Sequence, residues 1–481
     1  MRVNVILRYI GIVLLFESLF MLISAAISYF NGPDSGFAPL LMSFVFTAIL
    51  GAFPLFFVSR TDRITSKESY GVVTGAWLLS CVVGAFPYLL WGGEFSVVNA
   101  WFETVSGFTT TGASILNDIE ALPKGLLFWR SSTAWIGGIG VVMFVLVVMP
   151  LMGRSKQSAA SVELSQMAKD NYHFRTQKII QILLIVYFGL TAAETILLKM
   201  AGMNWFDALN HSFSTISTCG FSTKNQSIGA FGSGWIDIIV TAFMFVSGIH
   251  FAIIYATITG RRNNIFRNEV SRVFIISTIA MAVVVSLNLW SNNLYDGFWQ
   301  SLRYGLFQSV SIATSTGFAT ANTNIWPSLS IVIIIYLSIQ GASAGSTTGG
   351  LKIDRVIMAF KVIKSKIKQQ QHHSAVIRIK QNGVIQEEAT VNYAVVFIVI
   401  YMVMILVGTL INAACGVDTL TSFTASVASM GNIGPGFGDV GSVCNYSTMP
   451  IVTKISSTIL MLLGRLEIFG LIQFFIMKWW V

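Results

Sequence analysis

Four short segments of this chain set hydroxyl, thiol or amide side chains just ahead of a glycine. They are Thr109-Thr110-Thr111-Gly112-Ala113, Ser217-Thr218-Cys219-Gly220-Phe221, Thr314-Ser315-Thr316-Gly317-Phe318 and Gly431-Asn432-Ile433-Gly434-Pro435. A bare alkali cation must be handed oxygens in place of its water shell, and a ring of backbone carbonyls can supply them. Turning those carbonyls toward an axis needs unusual φ/ψ, which glycine adopts at little steric cost. Thr, Ser and Asn beside it can add a side-chain oxygen or brace the loop. No Asp or Glu lies within the four segments, which favours a monovalent ion over a divalent one held by an acidic ring.

A single glycine of this kind is a weak signal and usually marks a turn or a helix contact. Here the register extends beyond the glycines. Eight residues before each lies Thr104, Ser212, Ser309 or Ser426; seven before, Val105, Phe213, Val310 or Val427. Six before lies Ser106, Ser214, Ser311 or the equally small Ala428. The units recur roughly every hundred residues, the mark of an internal repeat.

The elements that must carry these segments are membrane helices. The 481 residues are 54% hydrophobic and only 11% charged, with a mean hydropathy of +0.71. Soluble domains carry roughly a quarter charged residues. The expectation is an all-α polytopic membrane protein with two N-terminal helices and four pseudo-repeated helix–pore-loop–helix units around a central pore. The two leading helices, about Val5–Tyr29 and Phe37–Val58, occupy 1–69. The repeats take 70–178, 179–269, 270–390 and 391–481. Their first spans are about Tyr70–Trp91, Ile179–Ala201, Val270–Trp290 and Val391–Cys415. Their second spans are about Gly125–Met152, Gly234–Gly260, Trp326–Phe360 and Met449–Trp480. Between the spans run short half-membrane helices, with Asp207, Asp296 and Asp418 near their starts as N-cap candidates. Such helices aim their negative C-terminal ends at the centre, which suits a cation.

The net charge of +9 could suggest nucleic acid. The basic residues instead cluster in Arg60–Lys67, Arg154–Lys178, Arg261–Arg272 and Lys352–Lys380, between spans, and at Arg2, Arg8 and Lys478. That is the positive-inside pattern, placing those segments and both termini in the cytoplasm. Cys81, Cys219, Cys415 and Cys444 have no zinc spacing. Cys415 and Cys444 both fall toward the outer face, where a disulfide or two free thiols are open alternatives.

Two further features bear on mechanism. Gly341 to Gly350 is a run of ten small residues inside the third repeat's second span, where a helix should break. Close helix packing through small residues is the alternative. Arg465 lies deep in the last span, where an arginine is expensive and faces a cavity or partner. Pairing with Glu467 is disfavoured, because residues two apart on a helix diverge. Glu103, His211 and Gln308 precede three of the glycines by nine residues, with Ala425 in the fourth, and read as buried braces. Glu17, Glu194 and His250 read as satisfied structural contacts rather than proton relays. Gly137-Gly138-Ile139-Gly140 lacks the preceding strand and third spaced glycine of a dinucleotide fingerprint. No nucleophile–base or metal constellation points to an enzyme.

These residues resemble the Trk/Ktr/HKT superfamily of potassium transporters and channels over nearly the whole chain. The two extra N-terminal helices resemble its TrkH branch. The resemblance implies a selectivity filter at Thr110, Thr111, Gly112, Thr218, Cys219, Gly220, Ser315, Thr316, Gly317, Asn432, Ile433 and Gly434. It also implies potassium preference, with glycine in all four segments, and a gate at 341–350, including Gly341, Gly345, Gly349 and Gly350, with Arg465 in the path. Ala113 and Pro435 depart from the phenylalanine of the other two repeats. Potassium, as the transported ion, would be taken up through a channel-like pore in a bacterial inner membrane, and rubidium would pass as well. A secondary transporter, a symport with sodium or protons, is the alternative. The partners implied are a second copy in a homodimer, a cytosolic nucleotide-binding regulatory ring (TrkA/RCK-like) on Lys352–Lys380, and the lipid bilayer; no nucleic acid is implied.

Overall fold

The computed structural model describes residues 2–32, 34–59, 66–148, 176–261, 264–372, 377–466, 468 and 471. The architecture is the all-α membrane bundle expected, two leading helices and four helix–pore-loop–helix units. Among the described residues, six helices are long and apolar enough to cross a membrane, or seven if one bent pair counts as a span. The leading pair, Val3–Phe30 and Phe37–Phe57, packs closely, with Gly11 and Gly51 facing each other so tightly that a Cβ on Gly11 would lie 2.5 Å from the Gly51 carbonyl oxygen.

Each unit has a first span, a short re-entrant helix and a second span. The first spans are Ser66–Gly84 continued by Phe86–Trp91, then Thr176–Met200, Glu269–Ser291 and Glu388–Ala414. The short helices are Val97–Phe108, Trp205–Ile216, Phe298–Ala313 and Thr419–Met430. All four end four residues before the glycine of their segment. A 12-residue helix rises about 18 Å, half a bilayer. Their caps differ from the sequence expectation in two cases. Asp418 caps its helix, accepting from the Leu420 and Thr421 amides. In the second unit the cap is Asn204, with Asp207 inside the first turn. In the third the cap position is Gly297, so Asp296 lies one residue outside. Ser96 caps the first.

The second spans depart most from the expected layout. Lys124–Val148 is one helix as far as it is described. The stretch expected as a single span over Gly234–Gly260 is two helices, Gly234–Ser247 and Phe251–Ile258, bent by 106°. Gly248 and His250 stand at that break, and His250 Nδ1 caps the second piece by accepting from the Ala252 amide at 3.1 Å. In the third unit Ser328–Gln340 and Ile353–Gln371 are separated by an irregular stretch, 341–352. In the fourth, Ile451–Arg465 is followed by residues mostly outside those described, Glu467 among them. Most of the expected basic segment Arg154–Lys178 is outside them too. All four cysteines are free; Cys81 and Cys219 are buried and Cys444 is exposed.

Candidate ion-binding ring and intramembrane loop

The four glycine segments meet at the centre. A Cβ added to Gly112 would sit 1.8 Å from the carbonyl oxygen of Cys219, and one on Gly220 would sit 2.1 Å from that of Thr316. One on Gly317 would sit 1.9 Å from Ile433 O, and one on Gly434 would sit 2.6 Å from Thr111 O. Each glycine therefore abuts the residue just ahead of the next segment's glycine, and the fourth closes on the first. Only glycine fits such an approach.

The backbone repeats in register. Thr110, Thr218, Ser315 and Asn432 all have φ between 51° and 55°, rare for residues with a side chain. Two residues on, Gly112, Gly220, Gly317 and Gly434 have φ of 77°, 86°, 80° and 93°. Left-handed residues at alternate positions break the strand's alternation of peptide directions, so successive C=O groups can turn to one side. One hydrogen bond per unit sets this up. The amides of Thr111, Cys219, Thr316 and Ile433 donate to the carbonyls of Ser106, Ser214, Ser311 and Ala428 at 2.8–2.9 Å. That explains why this position is small in every unit: the segment folds back directly over it.

Above the glycines lies a vestibule of about 560 Å³ lined by all four of them and by the loops that follow, including Ser114, Asn225, Asn322 and Tyr446. These loops are also joined in a circle. The Ile119 amide donates to Asn225 Oδ1 at 2.7 Å, and the Gly229 amide to Ala319 O at 3.1 Å, while Arg130 Nη1, on the helix Lys124–Val148, donates to Ser222 O at 2.9 Å. Asn324 and Gly438 exchange two bonds, and the Tyr446 amide donates to Ser114 O at 2.8 Å. Tyr446 also donates its hydroxyl to Gly434 O at 3.1 Å. Beside that carbonyl, Pro435 packs its Cδ toward Gly317.

The residues nine positions before the glycines grip the same loops. Glu103 accepts from Ser114 Oγ at 3.0 Å and the Ile115 amide at 3.0 Å. His211 Nε2 meets Ser222 Oγ at 2.9 Å, and Gln308 donates to Ala321 O at 3.3 Å. The fourth unit has Ala425 there, and Thr424 takes over, its hydroxyl accepting from the Phe437 amide at 2.9 Å. Arg130 is the residue the sequence reading missed. It pairs with Glu103 at 2.6 Å, fully buried, and its guanidinium lies 3.7 Å from the Phe221 ring centre. An arginine inside the apolar run of Gly125–Met152 was the available signal. The pair joins the first unit's scaffold to the second unit's segment.

Beneath the ring lies the 341–352 stretch. Its Gly349 amide donates to Ser315 Oγ at 3.1 Å, and Thr347 Oγ1 to Ile216 O at 2.9 Å. A Cβ on Gly349 would fall 2.5 Å from the Asn432 side chain. Asn432 Nδ2 is held by Thr111 Oγ1 at 3.0 Å and Met461 O at 2.9 Å. Gly345 abuts the His250 ring, where a Cβ would come within 2.4 Å, while Gly341 and Gly350 have φ of 63° and 78°. Arg465 spans the layer, donating to Thr347 O at 2.5 Å and to Gly137 O at 2.8 Å. The Gly137-Gly138-Ile139-Gly140 glycines are packing positions: a Cβ on Gly137 would meet Phe108 O at 1.9 Å, and one on Gly138 the Ser217 Cβ at 2.7 Å.

A family model described as TrkH, cation transport protein, matches residues 39–479. The chain belongs to the TrkH family. Its members include the Trk system potassium uptake protein TrkH of Salmonella typhimurium, 32% identical over 485 residues and covering 100% of both chains. The TrkG protein of Escherichia coli K12 is 30% identical over 485 residues, covering 100% of this chain and 99% of its own. The fold also matches the crystal structure of the potassium transporter TrkH from Vibrio parahaemolyticus, with a TM-score of 0.88 and 29% identity over 98% of each chain. Membership in the TrkH family makes this chain an integral membrane transport protein rather than an enzyme.

Proposed function

We propose that the chain takes up potassium through a channel-like pore whose selectivity filter is the ring of Thr110–Gly112, Thr218–Gly220, Ser315–Gly317 and Asn432–Gly434. The closed succession of glycine-to-carbonyl approaches supports this most strongly. Carbonyls of four segments can replace the water shell of a dehydrated cation. Four short helices end at the ring, each adding up to roughly half a negative charge at its C-terminus. The basic side chains of the vestibule, Arg130 and Lys224, are paired with Glu103 and Glu120, so they do not repel the ion as free charges would. Relatives are named for potassium uptake, which agrees with this reading.

The 341–350 loop, with Gly341, Gly345, Gly349, Gly350 and Arg465, is the gate. It occupies the exit side of the ring and must move before an ion can leave. The vestibule faces outward, the basic segments and both termini face the cytoplasm of a bacterial inner membrane, and Lys352–Lys380 receives the cytosolic regulatory ring in a homodimer. Flux is driven by membrane potential. Rubidium uptake into proteoliposomes under an imposed voltage tests this; flux that appears only with a sodium or proton gradient contradicts it and favours a coupled transporter. Gly220→Ser and Gly434→Ser should lower potassium preference over sodium, more for Gly220, whose Cβ meets a carbonyl at 2.1 Å rather than 2.6 Å. Unchanged preference in both removes the filter assignment.

A further inference from the structure

Ten small residues cannot hold a loop in place by their own packing, so its position depends on what grips it from outside. At the ring side the grips are Ser315, Ile216 and Arg465. At the other end the Ala344 amide donates to Asp354 Oδ2 at 2.6 Å, and the Ile353 amide to Ala342 O at 3.0 Å. Asp354 opens the helix Ile353–Gln371 and is buried. Its own carbonyl accepts from Gln381 Nε2 at 3.4 Å.

Gln381 belongs to a small antiparallel hairpin, Lys380–Gln381 with Val384–Ile385. Its turn is Asn382-Gly383, with φ of 49° and 80°, the left-handed pair that a tight two-residue hairpin requires. Asn382 fits a socket at the start of Glu269–Ser291. The Glu269 amide donates to Asn382 Oδ1 at 2.8 Å, and the Asn382 amide to Glu269 Oε2 at 3.0 Å. Lys361, on the helix that Asp354 opens, pairs with Glu269 at 2.5 Å and donates to Lys380 O at 2.6 Å. One continuous chain of contacts therefore runs from the Glu269 socket through the hairpin and Asp354 to the loop. Its outer end is accessible, the Lys361 and Glu269 side chains being 27% and 30% exposed.

We propose that this hairpin is a clip: seated on Glu269, it fixes the helix Ile353–Gln371, and Asp354 thereby holds the loop against the ring. Unseating the hairpin frees the loop and raises ion flux. Asp354 and Asn382 are positioning residues and touch no ion. The inference rests on the reading of 341–350 as the gate.

The test uses the full chain in proteoliposomes, with rubidium uptake under imposed voltage. Asn382→Ala and Asp354→Ala should each raise flux roughly fivefold, the weight of one net hydrogen bond. Asp354→Asn keeps an acceptor oxygen and should stay near the parent. Because the contacts act in series, the double variant should gain little over either single one. Potassium preference over sodium should be unchanged in all of them; a shift in preference would mean that the hairpin merely supports the filter, and would overturn the clip. Arg465→Ala separates the two readings. If it raises flux while Asn382→Ala and Asp354→Ala do not, the clip falls and the gate stands. If none of the three changes flux, the gate reading falls with it. Should Asp354→Ala not fold, Asn382→Ala, at the surface turn, carries the test alone.

Discussion

The ring and the layer directly beneath it obey different rules. In the ring, all four units share the same left-handed positions, the same amide-to-carbonyl bond and the same neighbour contact. In the layer below, the second spans diverge: the first and fourth are each one helix as far as they are described, the second is bent by 106°, and the third is interrupted over 341–352 by the loop that Arg465 of the fourth meets. On the proposed filter reading, equivalent oxygens must replace a hydration shell, which accounts for one backbone in every unit. A part that must shift between states cannot be bound equally on four sides. The loops above the ring are braced by different side chains from unit to unit, but the backbone path itself diverges in the layer where movement is proposed.

The largest effect should come from breaking the ring's support. Arg130→Ala leaves Glu103 buried and uncompensated and should cost about 3–5 kcal/mol, read as a lowered midpoint in detergent-solubilised unfolding. Next is Arg465→Ala, which removes two charge-assisted bonds from the layer below. With each worth about 1.5–3 kcal/mol, flux should rise at least about a hundredfold with ion preference intact. Loss of preference would mean that the layer shapes the ring, and the contrast would fail. Within the ring, Thr424→Val strands the buried Phe437 amide and should cost about 1–3 kcal/mol. Gln308→Leu, whose bond is 3.3 Å long, should cost less. The reverse order would show that the fourth unit is braced some other way. Smallest is His250→Ala, which deletes a helix cap and should cost about 1 kcal/mol in stability.

How much of this could be read from the sequence follows the same division. The ring was legible because its constraints fall on residue type: glycine where a Cβ would strike a carbonyl, and a small residue where the segment folds back. The break at 341–352 was legible because ten small residues in a row leave a helix little to hold it. The bend at Gly248–His250 was not, since one glycine in an apolar run also suits a straight helix, and the bend is stabilised by the loop it meets, Ser343 N to Gly248 O at 3.1 Å. The Glu103–Arg130 pair was half visible: the carboxylate lay in register with His211 and Gln308, but its partner had no counterpart in register. Caps shifted by one to three residues: Asn204 takes the cap by accepting from the Asp207 amide, and Gly297, with a φ of 105°, holds the third position without any side-chain bond.

The central claim is that the four segments hold a dehydrated monovalent cation. The most direct measurement is a crystal structure of the protein in rubidium, located by anomalous scattering. The account predicts a peak on the axis of the ring, within coordinating distance of the carbonyl oxygens of Thr111, Cys219, Thr316 and Ile433. An empty ring in a structure with rubidium bound at acidic side chains elsewhere would contradict it.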